Sequence, residues 1–155
     1  MNVLIDTNVI LDYVLKREPF AQDALVCIEK LFSQKAKAWL TASTVTDIFY
    51  VTRRALHDAA AAKSVIAKLL NAFQIAGVDK TDCIHALDAD MSDYEDALVS
   101  VCAKKVKAEC IITQNTKHFS RSTVPAVKPA GRPDTVKCEA VIDEAYVPFV
   151  RLYET

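Results

Sequence analysis

Two glycines, Gly77 and Gly131, are all that 155 residues contain, so neither a Walker phosphate loop nor a GxGxxG dinucleotide fingerprint can be written in this chain. Nucleotide binding by those routes is excluded. The cysteines, Cys27, Cys83, Cys102, Cys110 and Cys138, include no CxxC pair. Their odd number and wide spacing argue against a disulfide framework and a zinc centre, and they read as small apolar core residues in a reducing cell. An excess of either charge is missing too: 19 Lys and Arg stand against 20 Asp and Glu, a net charge of -1. A polyanion must therefore be held by a local basic patch. No uncharged stretch approaches the roughly 18–20 apolar residues of a membrane-spanning helix, and the opening MNVLIDTNVI carries acid rather than a basic leader. The expectation is a soluble, cytoplasmic protein with no membrane partner.

What is present fits one domain: 17.1 kDa, 52% hydrophobic and 25% charged, enough for a single core. Val3-Leu4-Ile5 reads as a short buried strand running into Asp6-Thr7-Asn8, after which Val9, Ile10, Tyr13 and Val14 recur at helical spacing. A second helix is predicted from Pro19, at an early helical position, through Ala24, Val26, Cys27, Ile28, Leu31 and Phe32. Ala38 to Thr41 reads as a strand, followed by a helix capped by Ser43 or Thr44 and carrying Val45, Ile48, Phe49 and Val51. Another helix runs from Ala59 to Phe73, with Val65, Ile66, Leu69, Leu70 and Phe73 on one face. Ile75 to Val78 is a strand, Thr81-Asp82 opens a helical turn, Ser92 to Lys105 is a helix, and Cys110 to Thr113 is the next strand. Val127 and the segment Val147 to Leu152 are candidate further strands. The alternation predicts an α/β domain: helices on both faces of a mostly parallel sheet.

In such sheets ligands sit beyond the carboxyl ends of the strands. Asp6 follows the first strand, Asn115 follows the Cys110 strand by two residues, and Asp47 and Asp96 lie in the first turns of helices that could approach the same edge. Converging carboxylates raise one another's pKa unless a cation neutralises them. Hard oxygen ligands select Mg²⁺ or Mn²⁺.

These residues lie in segments that resemble the ordered acidic motifs of PIN domains. The segments are Leu4-Ile5-Asp6-Thr7-Asn8-Val9-Ile10-Leu11-Asp12, then Thr44-Val45-Thr46-Asp47-Ile48-Phe49, then Asp96-Ala97-Leu98, and Ile111-Ile112-Thr113-Gln114-Asn115-Thr116-Lys117-His118-Phe119. The family consists of metal-dependent ribonucleases, many of them VapC-type toxins of bacterial toxin–antitoxin pairs. The resemblance implies a three-layer α/β/α sandwich, with residues 1–128 as the nuclease domain and 129–155 as an extension of it without a functional account. It makes Asp6 the central metal ligand and Asp96 the second. Asp47 stands where the family usually has Glu and, one methylene shorter, would reach the ion through water. Asn115 would orient a water or the scissile phosphate, and His118 stands where an acid often precedes the Phe. The implied substrate is RNA, with an antitoxin protein and a second copy of the chain as implied partners.

Other readings of the same residues stay open. Asp6 is placed to cap the first helix, and Asp47 to be a solvated charge. Asp93, three residues before Asp96, shares its helical face and is kept as a cap or supporting residue. The acids from Asp82 to Asp96 form a run without Lys or Arg, which reads as a solvated face that also concentrates cations. Arg53, Arg54, Lys104, Lys105, Lys107, Lys117 and Arg121 supply the opposite sign for tracking RNA phosphates, with Phe49, Tyr50 and Phe119 as stacking or core aromatics. The competing function is a catalytically degenerate PIN-like module that binds RNA or protein without cutting. A receiver-like phospho-acceptor is disfavoured, because it wants a paired acid at the first strand and a Lys after a strand, whereas Lys104-Lys105 fall within a helix.

Overall fold

The computed structural model describes residues 1–131. Short strands β1 (Asn2–Ile5), β2 (Lys37–Thr41), β3 (Gln74–Ala76), β4 (Cys110–Ile112) and β5 (Ala126–Val127) pair in parallel in the order β3-β2-β1-β4-β5. Parallel strands are covered on both faces, and this explains why β1 reads as an unbroken apolar run rather than an alternating one. Its Val3 and Ile5, with Ala38, Leu40 and Ile112, pack into one core with α1 (Thr7–Leu15), α2 (Ala21–Ser33), α3 (Ala42–Leu56) and α4 (Ala59–Ala72). Leu4 and Ile111 point the other way, into a second core with α5 (Lys80–Asp88) and α6 (Tyr94–Lys105). The result is the expected three-layer α/β/α sandwich.

The chain builds outward from β1 to β2 and β3, then returns to place β4 on the other flank of β1. The strand order therefore reverses between β1 and β4, the kind of point at which open α/β sheets bind their ligands. Asp6 and Thr113 stand at that point.

Several boundaries differ from the sequence reading, each for a local reason. Thr41, not Ser43 or Thr44, caps α3: its backbone is extended and its Oγ1 accepts the Thr44 N–H at 3.0 Å. Asp47 consequently sits in the second turn of α3 rather than the first. Pro19 precedes α2, which starts at Ala21. Asp79 and Asp93 cap α5 and α6, so these helices begin at Lys80 and Tyr94 rather than at Thr81 and Ser92. The third strand ends at Ala76, before Gly77. Val26 and Leu70, expected on core faces, are exposed. Val127 does form an edge strand, and the 3₁₀ turn Pro129–Gly131 lies against α2. The expected strand at Val147 to Leu152 lies outside the described residues, as does Cys138.

Having so few glycines has a visible consequence: Lys16 and His57 terminate α1 and α3 at φ 49° and 52°. This left-handed conformation is one that glycine adopts without steric penalty.

Candidate active site

Asp6 is 5% exposed and follows β1 directly. It occupies the N-cap position of α1, yet its carboxylate makes no capping hydrogen bond. Two side chains hold it instead: Thr113 Oγ1 and Asn8 Nδ2 each donate to Asp6 Oδ2 at 2.7 Å. Thr113 Oγ1 in turn accepts the Asn115 N–H at 3.0 Å, and Asn8 Oδ1 accepts the Gln114 N–H at 3.2 Å. Gln114 Nε2 donates to the buried Asp12 at 3.1 Å. The loop after β4 is thereby sewn to the loop after β1, and this fixes the backbone of Asn115. The Asn115 side chain remains exposed.

Hydroxyls bring α3 to the same edge. Thr7 Oγ1 donates to Thr44 Oγ1 at 3.2 Å, and Thr44 is held by Thr41 in the first turn of α3. One turn later α3 presents Asp47, half-buried, with its pKa raised by partial burial. From the other side of the sheet, the start of α6 supplies Glu95 and Asp96. Asp93 Oδ1 accepts the Asp96 N–H at 3.0 Å, so Asp93 takes the capping role.

The charges are crowded. Burial is the main cause of the raised Asp6 pKa, and the Asp96 charge adds to it against the hydrogen bonds from Thr113 and Asn8. Asp96 is raised by burial and by Asp93, and is relieved in part by His118. Glu95 is raised first by partial desolvation and then by Asp47, Asp6, Asp93 and Asp96 in turn. It is the one acid that feels all the others. The sequence reading passed over Glu95 as part of a solvated face. The available signal was its position beside Asp96 at the opening of a helix aimed at the strand ends. Asn8 and Thr113 carry no role that the sequence alone reveals, because the loops they join are far apart along the chain.

His118 lies on the 3₁₀ turn Thr116–Phe119, and its Nδ1 stands 3.0 Å from Asp96 Oδ2. A carboxylate only accepts, so the imidazole N–H is the donor. The Asp96 side chain is 15% exposed beneath a His118 that is 59% exposed, which makes the imidazole a cover over the acid.

The remaining acids of the Asp82–Asp96 run are not one face. Asp82 is buried, bonded to the Asp79 N–H and paired with Lys105 at 2.6 Å. Asp90 pairs with Arg121. Lys105 also reaches Asp79 and the Gly77 carbonyl, both at 3.1 Å, so it stabilises the α5–α6 pair and is not available to track RNA. Phe119 is core and Tyr50 is exposed. Among the described cysteines Cys27 and Cys102 are buried, and burial pushes the Cys102 thiol up to about 11, an inert state.

Among the described residues, no three His, Cys, Asp or Glu side chains stand close enough to enclose an ion. The chemistry of the donor set nevertheless fits a hard divalent cation. Asp6, Asp47, Glu95 and Asp96 offer carboxylate oxygens from three elements, each with its charged form disfavoured.

The chain is thus a parallel α/β sandwich with carboxylates near the switch point of its sheet. A family model for the PIN domain matches residues 2–117, and the chain belongs to the PIN domain family. No curated protein matches it by sequence. Its fold is similar to VapBC2 from Rickettsia felis bound to a DNA fragment from its promoter, with TM-score 0.66, 14% identity, 83% of this chain and 98% of that one covered. It is also similar to FitAB bound to an IR36 DNA fragment, with TM-score 0.65, 17% identity and 86% and 99% covered. A toxin–antitoxin complex from Klebsiella pneumoniae gives TM-score 0.63, 19% identity and 84% and 99% covered.

Proposed function

We propose that the protein is a Mg²⁺- or Mn²⁺-dependent endoribonuclease acting as the toxin of a toxin–antitoxin pair. The observation that carries this reading is the gathering of Asp6, Asp47, Glu95 and Asp96 toward one edge, where burial and neighbouring charge disfavour their ionised forms and a bound cation would favour them. Asp6 and Asp96 would hold the ion directly, and Asp47 would reach it through water. When bound, the cation supplies a Lewis acid that polarises the scissile phosphate and acidifies water. Thr113 and Asn8 keep Asp6 in one rotamer by donating to a single oxygen. The Asn115 amide, exposed on a backbone fixed by Thr113, is free to orient an attacking water or a phosphate oxygen. Glu95, next to Asp96 in the first turn of α6, would be placed to exchange a proton with that water. No side-chain nucleophile is needed, and in-line attack of water on phosphorus would expel the 3′ oxygen. We assign the nuclease to residues 1–128, with 129–155 as its extension.

A similar solved structure is a toxin–antitoxin complex, which supports an antitoxin partner; we propose further that the antitoxin covers the acidic edge with a basic side chain and that the toxin is homodimeric and cytoplasmic. No helix among the described residues is long and apolar enough to cross a membrane.

The test is cleavage of a fluorophore–quencher RNA by purified protein with Mg²⁺, Mn²⁺ or EDTA, beside Asp6→Asn and Asp96→Asn. Metal-dependent cutting lost in both variants supports the nuclease. Cutting that survives both places the site elsewhere. A folded wild type that neither cuts RNA nor binds Mn²⁺ favours the degenerate binding module.

A further inference from the structure

A nuclease site built of carboxylates attracts cations but repels the flanking phosphates of its substrate, so the strand must be gripped beside the acids rather than by them. A cavity of about 380 Å³, lined in part by Asp90, Met91, Ser92, His118, Ser120 and Arg121, meets that need. It is an open groove lined mainly by polar side chains. It is formed by the loop from α5 to α6, which leads into the helix that carries Asp96, and by the turn that follows Asn115. His118 belongs to both places: it lines the cavity and bonds Asp96. The cavity is therefore one imidazole ring away from the acidic edge.

We propose that this cavity is the subsite for the nucleotide flanking the scissile bond of a single-stranded RNA, with Arg121 taking its phosphate. The proposal rests on the ribonuclease reading above and deepens it. Three features of the lining suit this ligand. Arg121 offers a planar fork of donors matched to a phosphodiester. Ser92 and Ser120 offer hydroxyls to phosphate or ribose. Met91 and the His118 ring offer polarizable and flat surfaces for an unstacked base. In the free protein Arg121 is paired with Asp90, but these side chains are 66% and 83% exposed. Such a pair contributes little, so an incoming phosphate displaces Asp90 at small cost. Asp90 then acts as a stand-in anion, holding Arg121 in place until RNA arrives.

The exchange makes two substitutions act in opposite directions. In an Asp6→Asn background of the full chain, which leaves RNA uncut, binding of a short fluorescein-labelled oligouridylate is followed by anisotropy across a salt series. Arg121→Gln is expected to weaken binding about ten-fold and to reduce the salt slope by about 0.7, the value of one lost phosphate contact on a single strand. Asp90→Asn is expected to tighten binding about two- to five-fold, because it removes the competing anion. The corresponding deoxyribonucleotide and inorganic phosphate serve as separate arms. The subsite is supported if the oligouridylate exceeds both and responds to both substitutions. Unchanged binding by both variants, each melting like its parent, overturns the subsite while wild-type cleavage keeps the nuclease. Equal response to inorganic phosphate reduces the site to an anion hole and overturns the nucleotide assignment. A wild type that neither binds nor cuts RNA overturns the function and the subsite together.

Discussion

Thr113 Oγ1 donates to Asp6 Oδ2 at 2.7 Å, joining the ends of two adjacent strands that lie 107 positions apart in sequence. The bond fixes the carboxylate at the point where the sheet reverses its order. Thr113→Val leaves this buried acid short of a donor and is expected to cost about 1–3 kcal/mol of stability, along with most RNA cleavage. Thr113→Ser keeps the hydroxyl and should restore both. Chemical denaturation paired with the cleavage assay reads the two effects.

Glu95 is expected to destabilise the metal-free protein. Its pKa is raised, so the folded state holds its proton more tightly than the unfolded chain, and stability is lost as pH rises from the ordinary Glu value through the folded one. Glu95→Gln should therefore raise the melting temperature at pH 7 by about 1–2 °C. The gain should shrink toward pH 4, where wild-type Glu95 is itself protonated. Calorimetric scans over pH test this, and a variant that melts lower at pH 7 contradicts it.

Adding Mn²⁺ to the metal-free protein should stabilise it by mass action. At an ion concentration near 100 times Kd the gain is about 2.7 kcal/mol, or roughly 5–10 °C for a chain of this size. Asp6→Asn and Asp96→Asn should each abolish most of that shift, and EDTA should reverse it. A thermal shift that is the same in wild type and both variants would locate the ion elsewhere.

Lys105 serves the fold rather than the substrate. Lys105→Met strands the buried Asp82 and loosens Asp79, so the melting temperature should fall while the salt dependence of RNA binding stays unchanged. Asp79 is held below the ordinary carboxylate range, chiefly by the Asp82 amide and then by Lys105. Its contribution is therefore complete above pH 4 and lost as pH falls through the lower folded value. The penalty of Lys105→Met should shrink over the same acid range.

His57 ends α3 at a φ of 52°, where a side chain is strained by about 1 kcal/mol. His57→Gly relieves that strain and should raise stability by up to about 1 kcal/mol, measurable as a higher urea midpoint at unchanged slope. A fall in the midpoint would mean that the lost side-chain contacts outweigh the backbone relief.

Much of this was legible in one dimension because its causes are local. Val3-Leu4-Ile5 must be buried on both faces, so it signals a parallel strand without knowledge of its neighbours. Asp6 and Asn115 could be named because each sits at a fixed offset from such a strand, whereas Asp96 is preferred to Asp93 on the resemblance of Asp96-Ala97-Leu98 to the family's motif. Helix starts misled where neighbouring residues compete for one cap: Thr41, still extended as the last residue of β2, caps α3 in place of Ser43 or Thr44 and so puts Asp47 in the second turn.

The tertiary structure decided which charges meet. The acids from Asp82 to Asp96 look alike in a string, yet one is capped and clamped by Lys105, one pairs with Arg121, one lies under His118, and Glu95 faces Asp6 and Asp47. Their partners come from the far ends of other elements, and Coulomb interaction depends on distance in space rather than along the chain. Residue types and periodicity were enough to specify the sandwich and its acidic edge. Only the packing of α6 against the reversal between β1 and β4 brought separate carboxylates close enough to feel one another's charge.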